Sequence, residues 1–247
     1  MALQLGAWAH PSMSNKQLPI VLMTALHVMG YLHLKHNLHL IFDPTYPIID
    51  ESHFPRHDWM EFYGDVHEAI PDNMPPPHGK EVEIRMMCNS DHSGNKLTWC
   101  SRTGILIFIN MALINWISKW QAMIETSVFG AEFVAMKHGI ERLRGLWYKL
   151  RMMGVPLPGC SYIYADNKLQ VTNSTELASV LRKKCNSICY HAVHESVAMG
   201  ESIITHIKSG TNLADLMTKV LTGAKCRKLV HNILYDIFDD YPIWSEQ

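Results

Sequence analysis

The sequence has no long hydrophobic run. No stretch approaches the roughly 18 apolar residues that a membrane-spanning helix needs. Met1–Ser14 lacks the basic start and apolar core of a secretory signal, so neither a span nor export is expected. A charge bias is lacking too: 22 Lys+Arg stand against 23 Asp+Glu, for a formal net charge of −1. Bulk charge therefore gives no general affinity for polyanions, and any contact with nucleic acid must come from local patches. The best patches are Arg182-Lys183-Lys184 and Lys225 with Arg227-Lys228. Cysteine is sparse and scattered, at Cys88, Cys100, Cys160, Cys185, Cys189 and Cys226. Without an export signal these are expected to be reduced thiols of an intracellular protein. No Gly-x-Ser-x-Gly nucleophile elbow and no Gly-rich phosphate cradle occur. Cys185, Cys189, His191 and His194 crowd together, but four ligands on one straight helix cannot surround a tetrahedral ion, so zinc is not expected.

What is present suits a globular protein: 247 residues, 47% hydrophobic and 18% charged. That length allows one or two domains. Residues 1–46 begin with a helical pattern over Gln17–Leu34, in which Leu22, Leu26, Met29 and Leu32 recur at helical steps and predict a packing helix. Leu38–Phe42 reads as a short strand. Residues 47–80 are rich in Pro, Asp and His. Pro71–Gly79 cannot hold a helix or an inner strand, because proline fixes φ and removes a donor, so the region reads as a linker.

From residue 81 the pattern becomes regular. Strands are expected at Val82–Met87, Arg102–Asn110 and Ala112–Ser118. A long helix over Ser127–Met153 follows, with Phe129, Phe133, Met136, Ile140, Leu143, Trp147 and Leu150 on one stripe. Gly154 and Pro156 end it. Then come a strand at Ser161–Ala165, helices at Leu169–Thr175 and Lys184–Met199, a strand at Ser202–Ile207, a short helix at Asn212–Leu221 and an amphipathic helix at Lys225–Phe238. The order β-β-β-α-β-α-β-α predicts an α/β fold with a mixed five-stranded sheet flanked by helices. The expected division is 1–46, a linker at 47–80, the α/β domain at 81–222 and a C-terminal helix or tail at 223–247.

Four polar positions fall at strand ends and helix starts: Asn89, Glu132, Asp166 and Asp215. Carboxylates so placed can converge on one edge of a sheet and bind hard divalent cations, which prefer anionic oxygen. Two such ions about 3.5–4 Å apart can activate a water and stabilise a leaving oxygen in phosphodiester hydrolysis.

Several segments carry a resemblance: Asn89-Ser-Asp-His-Ser-Gly94, Ser101-Arg-Thr-Gly104, Trp116-Ile-Ser-Lys-Trp-Gln121, Glu125–Ala135, Tyr164-Ala-Asp-Asn167, Tyr190-His191 and Leu213-Ala-Asp-Leu-Met-Thr-Lys219. In this order and spacing the chain resembles the C-terminal part of Ty1/copia-type retroelement Pol polyproteins. Residues 1–46 resemble the end of the reverse transcriptase thumb and connection. The resemblance implies an RNase H-like fold that cleaves RNA in RNA–DNA hybrids with Mg²⁺ or Mn²⁺. It places the family's four acids on Asn89, Glu132, Asp166 and Asp215, and His191 at the cleft. An amide at Asn89 can offer an oxygen but no negative charge, so nuclease activity is expected to be severely reduced or absent. Asp91, two residues on, is a possible substitute ligand. Arg102, Lys119, Asn167, Lys183 and Lys184 are the candidate nucleic-acid contacts. Trp99, Cys100 and Trp120 stand where the family tends to carry Arg or other polar residues. No Tyr/Phe-x-Asp-Asp signature is present, so DNA synthesis is not expected of this chain, which reads as a truncated or decayed copy or a separate fragment. The remainder of a reverse transcriptase is a candidate partner. The competing expectation is a non-catalytic nucleic-acid-binding or structural relic.

Overall fold

A computed structural model describes residues 18–68, 70–177 and 186–236. The first helix, α1 (Leu18–Leu34), leads into β1 (Leu38–Leu40), and α2 (Met60–Tyr63) lies in the segment that follows. The main sheet is built from β2 (Ile84–Asp91), β3 (Arg102–Ile109), β4 (Ala112–Trp120), β5 (Ser161–Ala165) and β6 (Ser202–His206). Helix α3 (Val128–Met152) separates β4 from β5. Helices α4 (Lys168–Thr175) and α5 (Ser187–Ala198) separate β5 from β6. After β6 come α6 (Asp215–Thr218), α7 (Gly223–Val230) and β7 (Leu234–Asp236).

The sheet order is β4-β3-β2-β5-β6. β2, β3 and β4 form an antiparallel meander, whereas β5 and β6 run parallel to β2. This is the mixed five-stranded sheet flanked by helices expected from the element order. β2 alternates as the period-2 pattern demands. Met86 and Cys88 enter the core beneath α3, and Met87 joins the cluster on the opposite face. The α3 stripe fills the first core: Phe133, Met136, Ile140, Leu143 and Trp147 pack on Ile105, Ile107, Ile163 and Ile204. Ser127 caps α3 by accepting from the Gly130 amide.

Several expectations are corrected. β2 runs to Asp91 rather than ending at Met87. Its polar tail Asn89-Ser-Asp91 breaks the alternation but pairs fully with Gly104, Thr103 and Arg102 of β3. The amphipathic helix expected over Lys225–Phe238 stops at Val230 (residues 237 and 238 lie outside the described ones). Leu234–Asp236 instead forms β7, antiparallel to β1. That partner is about two hundred residues away and invisible to a local pattern. The stripe Leu22, Leu26, Met29 and Leu32 of α1 faces solvent, and Val28 is buried instead. Residues 184 and 185 of the expected helix at Lys184–Met199 lie outside the described residues.

Residues 47–63 carry more structure than their composition suggests. Phe54 is buried against Tyr162 and Ile203, and the Thr205 hydroxyl donates to the His53 carbonyl. Trp59 meets the His194 ring edge-on at 4.9 Å. The segment is a strap laid over β5, β6 and α5, held by its two aromatic anchors.

Candidate active site

β2 and β5 lie side by side in parallel, with Met87 level with Tyr164. Two residues further along each strand, Asn89 and Asp166 stand at the same edge of the sheet. Asp215 reaches that edge from α6, which docks on β3 over Gly104, the cross-strand neighbour of Asn89. A Cβ on Gly104 would lie 2.8 Å from the Met217 Cβ and 2.9 Å from the Ala214 carbonyl, so only glycine allows this approach. Asn212 fixes the turn before α6: its amide donates to the Cys88 carbonyl, and its Oδ1 accepts from the Ala214 amide. Glu132 arrives from the second turn of α3. Two buried glutamines clamp that turn. Gln170 Nε2 donates to the Glu132 carbonyl, and Gln121 Nε2 to that of Ala131.

The Asp215 side chain is fully buried and its two oxygens are saturated. Asn89 Nδ2 donates to Oδ1 at 2.5 Å, and Lys219 Nζ sits 2.7 Å from the same oxygen. Lys225 Nζ holds Oδ2 at 2.8 Å. Asn89 Nδ2 also reaches the Thr218 hydroxyl at 3.1 Å. Lys219 extends towards Asp166, 3.9 Å away. Burial works against the Lys219 charge, but the hydrogen bond and attraction of Asp215, with Asp166 and Glu132 behind them, leave its pKa raised.

Burial pushes Glu132 up to about 8. The Asp166 and Asp215 carboxylates add to the rise, and Lys219 and an Asn167 hydrogen bond oppose it. Glu132 is therefore held largely protonated at neutral pH.

Asn89 Oδ1 and Glu132 Oε2 are buried without a hydrogen-bond partner. These donors do not fit a two-ion centre. Position 89 turns a neutral amide donor towards Asp215, both oxygens of which already carry ammonium partners. Among the described residues no group of three or more His, Cys, Asp or Glu is gathered closely enough to hold a metal ion.

The remaining sequence candidates are distributed as follows. Asp91 lies on the Asn89 face of β2, opposite Arg102, and accepts from the Gly94 amide. Burial raises its pKa, with Arg102 opposing. A Cβ on Gly94 would run into this carboxylate, so the turn is built around it. Arg102 is only 3% exposed: it stacks on Trp120 at 3.8 Å and donates to the Ser118 hydroxyl. Lys119 is exposed on the edge strand β4. Asn167 caps α4 by accepting from the Leu169 and Gln170 amides. His191 stands beside Tyr63, with its Nδ1 3.3 Å from the phenol oxygen. Lys183 and Lys184 lie outside the described residues. Lys219 and Lys225 are the site residues that sequence reading missed. Lys219 carried a signal, four residues after Asp215 on one helical face. Lys225 stood out only as part of a basic patch; its approach to Asp215 depends on how α7 folds back.

A mixed sheet in this order, with polar side chains from β2, α3, the end of β5 and α6 at one edge, defines an α/β domain with a candidate site at that edge. The chain is similar to retrovirus-related Pol polyproteins of copia-type transposons. It is 24% identical over 144 residues to the Pol polyprotein from transposon RE1 of Arabidopsis thaliana, covering 58% of this chain and 10% of that protein. It is 26% identical over 156 residues to the Pol polyprotein from transposon TNT 1-94 of Nicotiana tabacum, covering 62% of this chain and 12% of that protein. The chain thus spans about a tenth of the length of these relatives. No protein-family model matches it. Among solved structures, the N-terminal RNase H domain of Rv2228c from Mycobacterium tuberculosis aligns with a TM-score of 0.44 and 11% identity, over 61% of this chain and 98% of that one. LC11-RNase H1 in complex with an RNA/DNA hybrid aligns at 0.43 and 16%, over 53% and 88%.

Proposed function

We propose that this chain is the RNase H-like domain of a copia-type retroelement Pol protein, that it engages RNA–DNA hybrids, and that cleavage of the RNA strand is impaired in it. The observation that carries the reading is Asn89. At the position facing Asp215, the chain holds an amide that donates a hydrogen bond where the reaction needs an anionic oxygen. Glu132, Asp166 and Asp215 are the acids that remain of the set, and Mg²⁺ or Mn²⁺ is the class of cation they would meet. Lys119, with Lys183 and Lys184, would contact the phosphate backbone without reading bases. The remainder of a reverse transcriptase is the natural protein partner, in an intracellular setting. No described helix is long and apolar enough to cross a membrane.

A second reading, a non-catalytic relic, draws support from the lysine pairing of both Asp215 oxygens. Cleavage of a hybrid labelled on its RNA strand, in Mg²⁺ and in Mn²⁺, separates the two. The first reading expects no cleavage by the natural protein, cleavage by Asn89→Asp, and none once Asp166→Asn is added. Natural-protein cleavage that survives Asp166→Asn would sink both. A silent Asn89→Asp variant that still binds hybrid favours the relic.

A further inference from the structure

The turn that follows β2 presents an aromatic side chain to solvent on a strained backbone. Trp99 is 61% exposed and Leu97 70% exposed. Trp99 also has φ of +55°, in the left-handed region that a bulky aromatic side chain rarely occupies. The turn is tightly tied. Asn95 Oδ1 accepts from the Leu97 and Thr98 amides, and the Trp99 amide donates to the Asn95 carbonyl at 2.7 Å. These bonds fix the indole outward at a conformational cost, which is how strain is spent at sites of function.

The turn sits at the Asn89 edge of the sheet. The Ser93 amide donates to the Ser101 hydroxyl, the Gln121 amide to the Ser101 carbonyl, and His92 Nε2 lies 3.0 Å from the Glu125 carbonyl. The turn is thereby clamped to the loop between β4 and α3, where Met123 and Ile124 are also exposed. The exposed charges of residues 92–101 and 119–128 are Lys96 and Lys119, and the acid between them, Glu125, is buried. An exposed indole with cations and no exposed carboxylate matches a nucleic-acid strand better than an apolar protein face. Phosphates meet the lysines, and a base meets the ring.

We propose that this turn is a stacking platform for an unpaired base of the bound nucleic acid, with Trp99 as the contact surface and Lys96 beside it on the backbone. This rests on the reading that the chain binds nucleic acid. It does not depend on whether the chain cleaves.

The test compares two labelled probes, a blunt RNA–DNA hybrid and the same hybrid with an unpaired DNA extension, by fluorescence anisotropy. The natural protein is expected to prefer the extended probe. Trp99→Gly should lose that preference, weakening extended-probe binding by about 5- to 150-fold, the span of one base–aromatic stack. Blunt-probe affinity should hold, and Trp99→Phe should keep most of the preference. Glycine accepts positive φ, so Trp99→Gly should also melt no lower than the natural protein. A preference unchanged in Trp99→Gly, equal natural binding of both probes, or a Tm that falls with the affinity overturns the platform. Unchanged probe binding with a natural dimer turned to monomer on sedimentation would assign the face to protein instead. Failure of the natural protein to bind either probe overturns the platform and the nucleic-acid reading together.

Discussion

Asn89 donates its amide to Asp215 across 2.5 Å, and the contact works only in that direction. A carboxylate at position 89 would lose the amide donor and face the Asp215 carboxylate as a like charge. We therefore expect Asn89→Asp to be destabilised in chelator by about 1–3 kcal/mol, the cost of exchanging a buried donor for a like charge. Millimolar Mg²⁺ or Mn²⁺ should return part of that loss. Thermal melting with EDTA and with each ion checks this. A melting temperature insensitive to both the substitution and the ion would show that position 89 is not coupled to Asp215.

Lys225 holds one oxygen of a carboxylate that is completely buried. Removing it with Lys225→Met leaves Oδ2 of this buried carboxylate without its cation, while Lys219 still meets Oδ1. Unfolding in urea should show a loss of about 1–3 kcal/mol, because the lysine itself is partly exposed and screened. Loss confined to the surface value of a few tenths of a kcal/mol would mean that Lys219 alone neutralises Asp215.

The raised pKa of Glu132 sets a pH dependence. Its ordinary value is 4.5 and its value in the fold is about 8, so between these the folded state binds the extra proton. Stability from neutral Glu132 is complete below pH 4.5 and is lost as pH climbs through about 8. The total is on the order of a few kcal/mol. Unfolding free energy measured in chelator from pH 5 to 9 should decline with this slope, and Glu132→Gln should flatten it. An equal decline in both proteins would place the titrating group elsewhere.

Gly104 is the point where α6 rests on the sheet. Gly104→Ala should cost about 1–3 kcal/mol through overpacking against Met217 and the Ala214 carbonyl. The change pushes the segment bearing Asp215 outward, so exchange of the Ala214–Met217 amides should quicken while that of β5 holds. Unchanged protection of α6 would refute the close fit.

Much of this molecule is legible in its sequence, and the exceptions share a cause. Ser161–Ala165 and the α3 stripe follow from local period alone, because each buries a continuous apolar face. Apolar–polar alternation in β2 ends at Met87, and Asn89, Ser90 and Asp91 carry no strand period of their own. Pairing with Gly104, Thr103 and Arg102 makes them a strand. Asn89, Glu132, Asp166 and Asp215 could be picked out by spacing and resemblance. The sense of the Asn89 hydrogen bond and the approach of Lys225 could not, because both depend on contacts across 126 and 10 residues that no period encodes. β7 was lost for the same reason. Its sequence is compatible with a helix, and only β1 makes it a strand.

That pairing of Leu38–Leu40 with Leu234–Asp236 ties an early stretch of the described chain to a late one. With the Phe54 and Trp59 anchors it girdles the sheet from outside. A protein cut to begin at residue 81 would unlatch β7, open a row of unmatched amides and uncover the backs of β5 and β6. A chain beginning at residue 81 is therefore expected to melt below one that reaches back to residue 38.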